Sequence, residues 1–455
     1  QADADARLPL PCPVAEGKGG FRDRLLEIPG RGGRRDRAGR NPNRPAARAA
    51  PKPAAHYVPP RLVRIGPVKV LHGYPYYRSP SGDAEQISLR LIDILRRHGY
   101  DVEGFCLTLN PPGPHLTFRE LDARWRRGDR ELLSMYERLE ERLQGCDVLL
   151  NGSGINLHPD FVARLGVFTV FQCFDDPESS AILSRPVAAA YDLCLVGNVA
   201  EVETYRSWGV RHAEWAPLGL LPGTYDPTLR EIDILEGQRD IDLVMLIDRL
   251  SPPRRARMEK MAAAFPDGHF YGRGWPRGYL PVGQDLALLR RAKIGPNFHN
   301  STGPINVRLF QLPANGVMQI CDNKRHLGAV YELGKEVVGF DSVEECIDLC
   351  RYYLAHDRER REIAAAGWRR VMRDYNEVAA FAWRMRIIEK YMPRRAVRSS
   401  ETAIAIRQRN RTRWPRLRYQ MLAPFRASIH VGLKIARSVV GPVYRWIKTR
   451  IGGVR

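Results

Sequence analysis

The densest run of side chains able to do chemistry lies between Lys293 and Asn323. It reads as a strand, a polar turn, a short helix, a glycine stop and a second strand. Ser301, Thr302 and Gly303 offer capping oxygens and an open turn, and Pro304 suits a first helical position, where no N–H is needed. Asn315-Gly316 is a left-handed stop signal, and Pro313 is tolerated because the helix end is near. Ile305, Leu309 and Leu312 fall on one face, and Arg308, Gln311 and Asn315 on another. A helix start with bare N–H groups beside a guanidinium and an amide makes a cradle for a diphosphate and for the hydroxyls of a nucleotide sugar. An α/β crossover whose polar face meets water would carry the same pattern.

The elements that position this segment form two βα series. A strand at Val68–His72, a Gly/Pro/Ser loop and a helix over 83–98 open the first. Strands follow at 147–151, 167–171, 193–197 and 213–217, with helices between them, including one at 131–143. A Gly/Pro-rich stretch, 218–235, reads as a linker. The second series has strands at 241–247, 269–271 and 336–340 and helices at 253–265, 285–291, 343–356 and 358–374. A last helix spans 377–391. Two such series predict an α/β chain of two Rossmann-like domains facing a cleft. The expected bounds are a disordered basic segment 1–66, domains at 67–222 and 223–376, a closing helix 377–393 and a basic tail 394–455.

The formal charge of +21 invites a nucleic-acid reading, but the charge is unevenly placed. Residues 1–66 are net +8 and residues 394–455 net +15, whereas 67–393 carry 42 basic and 44 acidic residues. A nearly neutral body argues against a sequence-specific nucleic-acid groove. In the tail, over 424–451, Phe425, Ile429, Leu433, Val440 and Ile447 share a helical face. Arg426, Lys434, Arg437 and Lys448 gather beside it. Such a helix suits an anionic membrane surface, and it would equally dock on the protein's own body. Eight scattered cysteines without a CxxC pair point to buried thiols in a cytoplasmic protein and to no structural metal. No run of 18 apolar residues predicts a spanning helix.

Several segments carry a resemblance. Phe171-Gln-Cys-Phe-Asp-Asp-Pro177 is followed by Tyr191-Asp-Leu-Cys-Leu-Val-Gly-Asn198, Glu203-Thr-Tyr-Arg-Ser-Trp-Gly209 and Tyr271-Gly-Arg-Gly-Trp275. Arg308-Leu-Phe-Gln-Leu-Pro-Ala-Asn-Gly316 and Ile363-Ala-Ala-Ala-Gly367 come later. In order and spacing, over about 68–392, the chain resembles the CgeB-like (spore maturation protein type) glycosyltransferases. The resemblance implies the GT-B architecture and transfer of a hexosyl unit from a nucleotide sugar, without a metal or other cofactor, to a glycan, lipid-linked or protein acceptor. It implies a bacterial polysaccharide-building role; the tail, which the resemblance does not cover, would by its basic amphipathic pattern be a peripheral hold on the inner membrane face. Where the family carries Glu to accept ribose hydrogen bonds, this chain has Gln311, which keeps one acceptor oxygen and loses the charge. A non-catalytic sugar- or partner-binding descendant is therefore the alternative.

Glycosyl transfer needs a base for the acceptor hydroxyl and positive charge on the leaving diphosphate. Arg308 and the 301–304 turn fit the second role, with Arg254 and Arg255 as further candidates. Gly272 and Gly274 would let the backbone approach the nucleotide. Trp275 would stack on the base or pack in the core. The base should come from the first domain. Asp83 is a candidate, or an N-cap. Asp175 and Asp176 end a strand at the carboxyl edge, where adjacent carboxyls can split their pKa values and leave one, Asp176, as the base. His72 ends the first strand and is the third candidate.

Overall fold

Runs of branched and aromatic residues buried on both faces become two parallel sheets. The computed structural model describes residues 68–392, apart from 77, 80, 81, 112, 114, 115, 153–155, 251 and 282. The segment 1–66 and the tail 394–455, with the helix expected at 424–451, lie outside the described residues.

The first half comprises β1 (Val70–Tyr74), β2 (Arg78–Ser79), β3 (Gly82–Asp83), α1 (Ala84–Arg97), β4 (Val102–Cys106), α2 (Phe118–Arg126), α3 (Arg130–Arg142) and β5 (Val148–Gly152). It continues through α4 (Pro159–Val162), β6 (Phe168–Cys173), β7 (Leu193–Val196), α5 (Val202–Ser207) and β8 (Ala213–Trp215). Its sheet runs β4-β1-β5-β6-β7-β8, all parallel, and β2 and β3 form a separate antiparallel ribbon. The second half comprises α6 (Glu231–Leu235), β9 (Ile241–Arg249), α7 (Pro252–Ala264), β10 (His269–Arg273), α8 (Asp285–Arg291), β11 (Ala292–Asn297) and α9 (Arg308–Ala314). There follow β12 (Met318–Asp322), α10 (Leu327–Val330), β13 (Val338–Phe340), α11 (Val343–Ala355), α12 (Asp357–Asp374) and α13 (Glu377–Tyr391). The second sheet runs β10-β9-β11-β12-β13, also parallel.

Each sheet reverses its direction of growth once. The chain goes from β1 outward to β4 and then returns to β5 on the other side; β9, β10 and β11 repeat the move. The crevice beyond the carboxyl ends of the strands at such a reversal is where doubly wound sheets take ligands. His72 and Gly152 stand at the first reversal, Ile247 and Asn297 at the second.

The last helix binds the halves together. α13 sends Phe381, Met385 and Ile388 into the apolar cluster over the first sheet, where Tyr100 meets Phe381 edge-on at 4.9 Å. Burying three such side chains contributes roughly 1.5–3 kcal/mol each. Asn376 caps this helix by accepting the Ala379 N–H at 2.9 Å. The α2 helix was not read from the sequence, although Thr117 and Glu120 spell its reciprocal cap.

The helix expected from Pro304 begins only at Arg308. Asn306 takes the capping role expected of Ser301, its Oδ1 accepting the Leu309 N–H at 2.8 Å. Ser301 Oγ donates to the Gly303 carbonyl instead. The stop is where the sequence put it: Gly316 has φ +67°, and the Val317 N–H returns to the Leu312 carbonyl.

Candidate active site

A cleft of about 800 Å³ lies beyond the carboxyl edges of both sheets. The second half contributes Arg254, Gly272, His299, Ser301, Arg308 and Gln311, among others. The first half contributes His72, Gly152, Gln172, Asp175 and Glu178, and α13 adds Glu377 and Arg384.

On the second-sheet wall two guanidiniums converge. Arg308, at the start of α9, donates from Nη1 to the Leu246 carbonyl, from Nη2 to the Phe298 carbonyl and from Nε to Asn297 Oδ1, each at 3.3 Å. Arg254, in the first turn of α7, donates from Nη1 to the same Phe298 carbonyl at 3.2 Å. Burial, and then the neighbouring charge of Arg254, push the Arg308 pKa down to about 10, which leaves it charged at neutral pH. Two fixed cations in low dielectric repel one another and attract a dianion. Gln311 is buried at the cleft wall one turn along α9 from Arg308.

Beside them, His299 is held by Asp322. Its backbone N–H donates to Oδ2 at 2.9 Å and its Nδ1 lies 2.7 Å from Oδ1. That pairing leaves Nε2 buried with no protein partner. Burial lowers the imidazole pKa against the upward pull of Asp322. Cys321 completes a cluster with these two, all three offering ligand atoms within 4.8 Å of one another. Arg308 and Lys324 are the cations nearest this group, and a metal ion there would have to oppose them. Sequence reading missed His299 because its meaning depends on Asp322, one strand away.

The residues expected around this cradle divide. Gly272 lines the cleft with φ +132°, and a Cβ there would come within 1.5 Å of the Ile247 carbonyl. Gly272→Ala should therefore cost about 3 kcal/mol or more, seen as a depressed thermal midpoint. Gly274 is exposed and does not line the cleft, and a Cβ there would lie 3.0 Å from Leu250. Trp275 is buried and stacks on Phe270 at 5.2 Å inside the second core, so the expectation that it stacks on a nucleotide base is corrected. Ser301 lines the cleft, but Thr302 and Gly303 do not. Thr302 Oγ1 donates to Glu201 of the first half at 2.5 Å, and Gly303 abuts Asn198. This turn joins the halves and does not form a phosphate cradle. Arg255 is exposed and pairs with Glu259 at 3.5 Å.

On the first-sheet wall the two adjacent carboxyls separate. Asp176 is turned inward and accepts the Tyr205 hydroxyl at 2.5 Å, which removes it from the role of base. Asp175 is exposed and lines the cleft. Crowding by protein, and then the Asp176 charge, raise its pKa above the usual carboxylate range. Asp83 closes β3 one residue before α1 begins; its side chain lies outside the described residues.

His72 lines the floor, with its pKa pushed down to about 4 by burial and secondarily by Arg384. The unfolded chain thus binds more protons than the folded one between about pH 6.5 and 4, so His72 makes stability fall as pH drops through that window. The depressed pKa corresponds to about 3 kcal/mol over the window. Thermal midpoints measured across it should fall less steeply in His72→Phe than in the wild type.

Residues 254–385 match the family described as "Glycosyl transferase-like". The fold is GT-B. It is similar to sucrose-phosphate synthase from Thermosynechococcus elongatus, at 13% identity and a TM-score of 0.52, over 71% of this chain and 98% of that one. It is also similar to a glycosyltransferase from Rickettsia africae, at 10% identity and a TM-score of 0.50, over 73% of this chain and all of the other. No curated protein sequence matches the chain. Among the described residues no helix is long and apolar enough to cross a membrane.

Proposed function

We propose that the protein is a glycosyltransferase that binds a nucleotide sugar against the second sheet and transfers its sugar to an acceptor held against the first. The observation that carries this is the pair of guanidiniums, Arg254 and Arg308, meeting at the Phe298 carbonyl on a strand-order reversal. A carboxyl of raised pKa, Asp175, lines the same cleft from the other half. In this reading the arginines neutralise the leaving diphosphate, without a metal, and Asp175 takes the proton of the acceptor hydroxyl. His299 Nε2 and the Gln311 amide offer hydrogen bonds to the donor. The CgeB-like affiliation, a hexosyl unit as cargo and a tail resting on an anionic membrane belong to the same proposal.

Isothermal titration with a panel of nucleoside diphosphates and nucleotide sugars tests it. At least one should bind, and binding should weaken sharply in Arg308→Ala. Gln311→Glu should tighten the preferred donor about tenfold, by restoring a charge-assisted bond to the ribose. An unchanged affinity would remove Gln311 from the ribose. The second reading, binding without turnover, is favoured by Gln311 itself, and any measured transfer excludes it.

A further inference from the structure

The floor of the cleft on the first-sheet side holds a group of donors that the proton transfer and the diphosphate cradle do not use. His72, Gly152 and Gln172 occupy one face of β1, β5 and β6 at their carboxyl ends, since His72 pairs in register with Leu150 and Gly152 with Gln172. A Cβ on Gly152 would lie 3.3 Å from His72 Nε2, so the glycine keeps that space open. Arg384 reaches the same floor from α13. His72 Nδ1, Gln172 Nε2 and Arg384 Nε are all buried without a hydrogen-bond partner. Gln172 is 2% exposed and Arg384 6%, and both line the cleft.

Arg384 is the decisive member. Its Nη2 donates to the Pro217 and Leu218 carbonyls at 3.1 and 2.8 Å, and its guanidinium lies 5.8 Å from the Phe174 ring. These contacts fix it in place but supply no negative charge. Among the described residues no carboxylate pairs with it, and burial alone lowers its pKa, to about 10. Glu377, two turns earlier on α13, accepts the Tyr225 hydroxyl instead. A purely structural arginine would need only its carbonyl partners. An uncompensated buried cation with a spare N–H, next to two further donors, is matched to an anionic oxygen group.

We propose that His72, Gln172 and Arg384 form a second anion subsite, separate from the Arg254–Arg308 pair, that takes the carboxylate or phosphate group of an acidic acceptor. Only the word acceptor rests on the transferase reading; the anion subsite does not. Acidic sugars and sugar phosphates share this chemistry.

The test titrates D-glucuronate, D-glucose 6-phosphate and D-glucose into the full chain, as wild type, Arg308→Met, Arg384→Met and Gln172→Leu. At least one anionic probe should bind the wild type and Arg308→Met alike, and at least tenfold more tightly than glucose. Its affinity should fall tenfold or more in Arg384→Met and several-fold in Gln172→Leu, and the stronger probe identifies carboxylate or phosphate. If Arg384→Met fails to fold, Gln172→Leu and the glucose comparison decide. The proposal is overturned if neither anion binds, if glucose binds as well, or if affinity follows Arg308 and not Arg384. A nucleoside-diphosphate titration on the same samples separates the two readings. Anion binding without any nucleotide binding would remove the transferase reading and leave this subsite standing.

Discussion

Arg308→Ala lowers turnover of the preferred nucleotide sugar by about 10²–10³ and weakens donor binding, as expected for loss of a preorganised charge at a developing anion. The wild-type guanidinium is held by three oxygens, on Leu246, Asn297 and Phe298, so it pays no reorganisation when the diphosphate leaves. Arg254 remains in the variant, and some affinity for the donor should remain with it. Arg308→Lys should recover only part of the loss, because an ammonium is a point charge and cannot keep the fork on those three oxygens. The variant should stay folded, since Leu246 lines the cleft, where its freed carbonyl can be wetted, and the Phe298 carbonyl keeps Arg254 as a donor. Steady-state kinetics beside a thermal melt makes the distinction. A kcat/KM within threefold of wild type would remove Arg308 from the reaction.

Asp175→Asn and Asp176→Asn give opposite results although the residues are neighbours. Asp175→Asn should lower kcat by about 10²–10⁴ while donor affinity holds, as removal of a general base does. Its raised pKa sets a sign for the pH profile: the base works only when deprotonated, so rate rises with pH through a midpoint above the ordinary carboxylate range. That acid limb should vanish in the Asn variant. Asp176→Asn should instead lower stability by about 1–3 kcal/mol, because the buried Tyr205 hydroxyl loses its charged partner. Its turnover should stay near wild type. If Asp176→Asn, and not Asp175→Asn, abolished the acid limb, the assignment of the base would be reversed.

How far the sequence carried this account depends on the range of the signal. Strands such as Val148–Gly152 and Leu193–Val196 are apolar runs closed by polar turns, and the order of strands and helices suffices to predict two parallel sheets. Arg308 and Gly316 were legible because helical spacing and a left-handed stop are local. The start of α9 was misread because two capping signals compete, Ser301 and Asn306, and only packing of the 301–303 turn against Glu201 and Asn198 decides between them. Trp275 and Asp176 were misassigned for a related reason. Residue type and strand position allow a side chain to turn toward either the core or the cleft. Here Phe270 and Tyr205, each packed or bonded inside its own half, take them inward.

Arg384 and His299 were invisible for a deeper reason. Arg384 sits in the last helix and reaches the cleft only because α13 folds back over the first sheet, bringing it to carbonyls at 217 and 218. Its sequence neighbours, Trp383 and Met385, give no hint of a ligand. His299, a residue of the cleft wall, acquires meaning from Asp322, which fixes its ring and leaves Nε2 buried without a partner. Both are cases where chemistry arises from elements far apart in the chain.

The claim on which the rest depends is that a nucleotide sugar is cleaved in this cleft. Donor hydrolysis needs no known acceptor, so the direct measurement is release of nucleoside diphosphate from a panel of nucleotide sugars, for wild type, Arg308→Ala and Asp175→Asn. The account predicts slow release from at least one donor by the wild type, suppressed about a hundredfold or more in Arg308→Ala. Release that is equal in wild type and Arg308→Ala, or none from any donor together with no nucleotide binding, would contradict it.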